Sequence, residues 1–348
     1  MNALRLHVVI VSPALSNANN GNWQTANRWR QMLATNFHCR IIPTWPDKYA
    51  NQDDVMIALH ARKSADSVAA WYSAHGGTQL VLALTGTDLY RDIQTDPRAQ
   101  ASLAMASKLI VLQSLAPLSL PKTHHAKTTV IIQSTSSKPK LAKPAAHLRA
   151  LMVGHLRDEK SPETLFAAAR ILGRSDHDTR SLNVSEFDQD KDIFIDHIGA
   201  GLDPNLASEA TATAAACPHY RWLDAVAHDA TRRSIQRAHV LVHASKMEGG
   251  AHVLMEAVCS GTPVLASRID GNVGVLGADY AGYFEWGDAP GLVRLLRACR
   301  ASQNAPDGLL AQLQQQCAER APLFSPERES AQLIGLVNAL IQSRRANS

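Results

Sequence analysis

Cysteine is scarce and scattered: Cys39, Cys217, Cys259, Cys299 and Cys317 are the five in the chain, and no two form a C-x-x-C pair. Neither a disulfide framework nor a cysteine metal site is expected, and thiols so spaced fit a reducing cytoplasm. Long apolar runs are missing too. None approaches the roughly 20 residues of a membrane span, and residues 4–11 enter a strand-like segment with no signal-peptide pattern before them. A cytoplasmic protein with no stable membrane association is the expectation. Charge is modest, with 19% charged against 45% hydrophobic residues and a net charge of +4. That excess suits small anionic substrates but is too weak to argue for nucleic acid. The loop at 12–25 contains one glycine and no G-x-G-x-x-G fingerprint, which disfavours a bound dinucleotide.

What is present is alternation. Apolar runs at 4–11, 55–59 and 80–84 are followed by amphipathic stretches at 23–35, 63–74 and 98–106, with further strand candidates at 109–112 and 130–132. This predicts an α/β fold with a parallel, doubly wound sheet. Residues 138–144, rich in proline and lysine, read as a linker. Alternation then restarts at 148–153 and continues through 162–172, 193–198, 204–216, 239–242 and 263–266, with 173–192 as a charged surface loop. Ser325-Pro326-Glu327 is a serine cap with proline in the first turn, opening a long amphipathic helix to about residue 343. The 348 residues allow two domains with separate cores. The expected division is 1–140, 147–324, and a terminal helix at 325–348 that returns to the first domain.

The most informative stretch runs from Glu248 through Gly249, Gly250, Ala251, His252 and Val253 to Glu256, and continues to Gly261-Thr262-Pro263-Val264. It reads as strand, glycine turn, helix, loop, strand. Glycines at a helix start let backbone N–H groups approach a ligand, and the positive helix end favours an anion. Glu248 and Glu256 are then placed to reach hydroxyls on either side of a bound phosphate. The plainer reading is a glycine-capped helix with two solvated glutamates. With Ala266-Ser267-Arg268-Ile269-Asp270-Gly271-Asn272 following, the stretch resembles the donor-site signature of GT-B glycosyltransferases of the E-x7-E type. The resemblance implies two Rossmann-like, doubly wound domains facing a central cleft.

Gly154-His155-Leu156-Arg157-Asp158-Glu159-Lys160 follows the first strand of the second half. Enzymes of this type place an arginine and a lysine here to neutralise the leaving diphosphate. Lys160 matches, whereas His155 occupies the usual arginine position and Arg157 lies two residues on. Arg157, Lys160 and Glu248 are thus the expected catalytic groups. Gly154, the turn 248–253 and Glu256 complete the donor site. No metal or cofactor is expected: Asp188-Gln189-Asp190 lies in the charged segment away from these motifs, and His252 with Glu256 offers only two ligands on one helix face.

Loops of the first half supply acceptor-side candidates: Asn19, Asn20, Gly21, Asn22, Trp23 and Thr25 after strand one, and His60 with Arg62 after the 55–59 run. Thr85, Gly86, Thr87, Asp88 and Arg91 follow the 80–84 run, at the carboxyl end of a parallel strand, where such sheets bind ligands. Related enzymes often have histidine where Thr85 stands. His60 is alternatively a hydrogen-bonded structural histidine, and the arginines exposed charges. Taken with 58–64, 84–93, 153–160, 247–252 and 267–274, these loops resemble the selenosugar synthases of selenoneine biosynthesis, over roughly residues 5–300. The resemblance implies transfer of a glucose- or N-acetylglucosamine-type residue from a UDP-sugar to selenophosphate, both small-molecule partners, forming a carbon–selenium bond. The alternatives are a GT-B enzyme acting on a hydroxyl acceptor, or a non-catalytic or epimerase UDP-sugar-binding protein.

Overall fold

The computed structural model describes residues 5–14, 21–173 and 190–346, which form two compact units. The first comprises Met1–Ser134, Glu248–His252 and Leu323–Ser348. Its sheet contains β1 (His7–Val11), β2 (His38–Ile42), β3 (Val55–Leu59), β4 (Leu80–Leu84), β5 (Lys108–Val111) and β6 (Thr128–Val130). All pairings are parallel, in the order β2-β1-β3-β4-β5-β6. Every residue of β3 and β4 is buried, so these strands are unbroken apolar runs rather than alternating ones. The side-chain period of two sends Val9, Met56 and Leu82 to one face with Trp45 and Trp71. Val8, Ile57 and Val81 go to the other, with Trp29 and Leu33 of helix α1 (Gly21–Leu33).

Two further helices, α2 (Ala65–His75) and α3 (Pro97–Met105), follow β3 and β4. Helix α2 stops at Gly76, whose φ of 64° is the left-handed C-terminal turn that glycine adopts without strain. The last helix of the chain (Pro326–Ala346) lies against α1 and inserts Leu333, Val337 and Leu340 into the second of these cores. Their spacing puts them on one helix face, and burying each contributes on the order of 1.5–3 kcal/mol.

The second unit is Thr135–Met247 with Val253–Pro322. Its strands are β7 (Leu148–Val153), β8 (Ile193–Ile198), β9 (Tyr220–Trp222), β10 (Val240–His243), β11 (Val264–Ser267) and β12 (Tyr283–Phe284), again all parallel. The order is β12-β11-β10-β7-β8-β9. Numbered from the start of this unit, that is the Rossmann order, and it reverses direction between β7 and β10. The helices are α4 (Glu163–Leu172), α5 (Pro204–Ala216), α6 (His228–Arg237), α7 (His252–Val258), α8 (Asp270–Leu276), α9 (Ala289–Ala301) and α10 (Leu309–Arg320), and the terminal helix is α11. Proline at the start of α5, behind the Asp203 cap, matches the sequence expectation for 204–216.

The structure departs from the expected division at its boundaries, with residues 135–140 in the second unit and 323–324 in the first, and at one internal turn. Glu248–His252, read from the sequence as part of the 147–324 domain, groups with the first unit. The cause is local: Gly249 backs onto Thr85 and Gly86, Gly250 onto Leu112, and His252 hydrogen-bonds Ser134. Among the described residues, no helix is long and apolar enough to cross a membrane.

Candidate functional site

In the second unit the reversal between β7 and β10 creates a crevice at the carboxyl ends of those strands, where ligands bind in open parallel sheets. The loop after β7 begins at Gly154 and closes in a short 3-10 turn, Asp158–Lys160. The Lys160 stem lies over Gly154, where an added Cβ would stand 3.5 Å from Lys160 Cγ and Cδ. Arg157 is extended and half-exposed, 4.0 Å from the Glu159 carboxylate. The loop after β10 is tied to this one twice: Lys246 N donates to Glu159 O at 3.0 Å, and Lys246 Nζ to Asp158 Oδ2 at 2.5 Å. Loops from both sides of the switch point are therefore one assembly.

His155 accepts a hydrogen bond from Ala200 N at 3.1 Å. Burial, then the charges of Arg157 and Lys160, push its pKa down. It is a neutral loop-tie. Beneath it, fully buried His197 bridges Gly154 O and the Tyr220 hydroxyl, each at 3.0 Å. Burial lowers its pKa to about 4, so Nε2–H donates to the carbonyl and Nδ1 accepts from the phenol.

Glu256 is buried on α7. Its Oε1 accepts from His228 Nε2 at 2.9 Å and from Arg232 Nη1 at 3.4 Å. Arg232 also donates to Thr135 Oγ1, and to Ser136 O at 2.7 Å. The hydrogen bond to Glu256 raises the His228 pKa, outweighing burial. Neither His228 nor Arg232 follows from the motif, because both come from α6, a polar segment with no strong local signal. Asp190 forms two hydrogen bonds with Arg297, at 2.8 and 2.6 Å, while Asp188 lies outside the described residues. Among the described residues, no three acidic, histidine or cysteine side chains cluster as a metal site.

In the first unit the loops after β3 and β4 meet through one carboxylate. Buried Asp88 accepts from Thr85 N and Gly86 N at 2.9 Å and from Ala61 N at 3.0 Å. His60, buried and at a φ of 74°, has Nε2 3.2 Å from Thr87 Oγ1 and accepts from Lys63 N on Nδ1 at 3.4 Å. Burial is the main cause of its lowered pKa. Arg62 and Arg91 both reach Asp92, at 2.8 and 3.2 Å. Burial acts to raise the Asp92 pKa, but the two guanidiniums prevail and hold it low.

The turn from Glu248 to His252 belongs to this unit. A Cβ on Gly249 would stand 2.5 Å from Thr85 C, Thr85 O and Gly86 N, and one on Gly250 would stand 2.7 Å from Leu112 Cβ. Both glycines are required by backbone packing, a reason the sequence reading did not foresee. Glu248 is partly buried and Ala251 buried, whereas Val253, partly buried, is counted with the second unit. His252 Nε2 lies 2.9 Å from Ser134 O. Ser134 in turn donates N–H and O–H to Glu329 of α11, at 2.7 and 2.5 Å, and the same carboxylate accepts from Trp29 Nε1 and Arg28 Nε at 2.7 and 2.9 Å.

Of the loop after β1, Asn19 and Asn20 lie outside the described residues. Gly21, Asn22 and Trp23 open α1, and buried Thr25 donates to Gly21 O at 2.9 Å. The Gln133 amide oxygen accepts from Arg28 Nη2 at 3.0 Å and its nitrogen donates to Gly250 O at 3.3 Å.

Residues 133–290 match the family model described as Glycosyl transferases group 1. No curated protein matches the sequence. Among solved structures, sucrose-phosphate synthase from Thermosynechococcus elongatus is similar over 97% of this chain and 100% of its own, with a TM-score of 0.74 at 17% identity. HepE from Anabaena, solved in complex with UDP-glucose, covers 96% of this chain and 100% of its own, with a TM-score of 0.71 at 12% identity. TarM from S. aureus, solved with fondaparinux, alpha-GlcNAc-glycerol and UDP, has a TM-score of 0.59 at 13% identity. That match takes in 82% of this chain but 55% of TarM, so the chain spans about half of TarM's length. Two parallel-sheet, Rossmann-like domains thus match the fold of the GT-B glycosyltransferases, and the sequence match to glycosyl transferases group 1 extends over residues 133–290.

Proposed function

We propose that this chain is a glycosyltransferase moving a glucose- or N-acetylglucosamine-type residue from a UDP-sugar to selenophosphate. The observation that carries the donor half is the joined pair of loops at the β7/β10 reversal, which bear Arg157 and Lys160 within the group 1 domain. HepE with UDP-glucose and TarM with UDP support a uridine nucleotide. In this reading, negative charge growing on the departing diphosphate is met by Arg157 and Lys160. Glu248 and Glu256 serve sugar and ribose hydroxyls. Because Glu256 is already shared with His228 and Arg232, its hydroxyl contact would draw on the same carboxylate.

The acceptor half rests on the resemblance of the first-half loops and on the state of His60. Both of its ring nitrogens are occupied within the loops, and Thr85 stands where the resemblance to related enzymes would place a histidine. A nucleophile already anionic at selenium does not require a base. The C1–O bond to the diphosphate breaks and its electron pair leaves with UDP, while a selenium pair forms C1–Se. Water then cleaves the P–Se bond, giving phosphate and the 1-seleno sugar. Arg62 and Arg91 are drawn to Asp92, so the acceptor's phosphate would compete with that carboxylate for them.

The test is a donor-by-acceptor screen with mass detection. UDP-glucose or UDP-N-acetylglucosamine with selenophosphate should yield UDP and a selenium-containing sugar, and a chelator should not slow it. Turnover on a hydroxyl acceptor with none on selenophosphate would overturn the selenium assignment and leave glycosyl transfer standing. Absence of acceptor-dependent UDP release would overturn both.

A further inference from the structure

The second unit has a cavity at the opposite end of its sheet. Lys140, Lys143, His239, Gln303, Asn304 and Gln314 supply its polar lining. Pro144, His239 and Thr262 precede β7, β10 and β11, so the cavity lies by the amino ends of those strands, whereas Arg157 and Lys160 lie beyond a carboxyl end. Its volume is about 180 Å³, below the roughly 300–1,000 Å³ of pockets that enclose drug-sized ligands. It suits a small ion rather than a nucleotide.

The electrostatics are one-sided. Among the described residues, no carboxylate lines the cavity, and the contacts of both lysines are to neutral groups. Lys140 Nζ donates to Gln314 Oε1 at 2.7 Å and Lys143 Nζ to Thr262 Oγ1 at 3.3 Å, both neutral acceptors. The Thr262 hydroxyl proton is committed to Ile235 O at 2.8 Å. His239 is held neutral: Nδ1 accepts from Arg149 N at 3.0 Å while Nε2 faces Pro144 O at 2.8 Å. The Lys140 stem is braced on Gly261, where an added Cβ would meet its Cβ and Cγ at 3.1 Å. Burial, then the neighbouring Lys140 charge, push the Lys143 pKa down to about 8. Two ammonium groups kept together without a counter-charge raise each other's free energy, and a dianion between them would relieve it.

We propose that this cavity is a binding site for a phosphate-class dianion, held between the Lys140 and Lys143 ammonium groups with an amide donor from Asn304. The inference does not rest on the glycosyl-transfer reading, since it uses none of those residues.

The test is amine footprinting of the intact protein. Acylation of each lysine at pH 8 is followed by peptide mass spectrometry, in inorganic phosphate, glycerol phosphate, or chloride at matched ionic strength. Phosphate should slow acylation at Lys143 several-fold by ion-pairing and occlusion, and chloride should not. In Lys140→Gln the protection should weaken, while Lys143 stays accessible for the readout. Protection by inorganic phosphate alone assigns the free ion, and protection by both assigns a phosphomonoester terminus. Equal Lys143 acylation in phosphate and chloride, or undiminished protection in Lys140→Gln, would overturn the site.

Discussion

Glu329 is the test of how far the first unit depends on one carboxylate. It is fully buried and accepts from Arg28, the Trp29 indole, and both the amide and hydroxyl of Ser134. In Glu329→Ala, three buried neutral donors lose their acceptor, each a cost of about 1–2 kcal/mol. Arg28 is only 17% exposed in its side chain, so its stranded charge adds less than a fully buried one. The sum is a loss of about 3–6 kcal/mol for the first unit, large for one substitution. Urea unfolding, followed by circular dichroism and by tryptophan emission, should show the first-unit transition at lower denaturant with the second unit's unchanged. An Arg28→Ala, Glu329→Ala cycle should show coupling of about 1.5–3 kcal/mol, as for hydrogen bonds to a charged group. A first-unit midpoint displaced by less than about 0.5 kcal/mol, or no coupling, would refute the reasoning.

Gly249→Ala should destabilise by about 1–3 kcal/mol, since its Cβ would stand 2.5 Å from backbone atoms that cannot step aside; an unchanged Tm would contradict this. His197 has a folded pKa of about 4 against an ordinary 6.5. The stability it confers is present above 6.5 and is lost as pH falls toward 4, amounting to about 2 kcal/mol by pH 5. The wild-type stability curve should therefore fall more steeply than that of His197→Gln between pH 6.5 and 5, and parallel curves would exclude the effect. Lys160→Ala should lower kcat more than it raises KM, because leaving-group charge absent from the bound ground state develops in the transition state; wild-type turnover would remove the role proposed for it.

The parts of the fold legible in the sequence were those with strong local signals. β3 and β4 are continuous apolar runs, and α5 carries its cap and proline together. β2, with the sequence HCRII and its first residue exposed, and the three-residue β9 gave too little pattern to identify. The turn at 248–252 was recognisable, but not its allegiance, which depends on Thr85, Gly86 and Leu112 far away in the chain. Likewise, Glu256 was singled out by spacing, while His228 and Arg232 came to it only through tertiary packing. Glu329 lay among ordinary charged residues of an amphipathic helix, and nothing near it marks it as buried. Local chemistry announces glycines, caps and runs, whereas a carboxylate shared by distant donors becomes visible only once the chain has closed on itself.

Asp88 ties two successive crossings of the first sheet into a single stiff tile, because its two oxygens take amide protons from Ala61, Thr85 and Gly86. A molecule settling on that tile would find its contours already cast. Little ordering cost would be charged against recognition, and selectivity among visitors would come from whether they match the mould, not from how far the mould can yield.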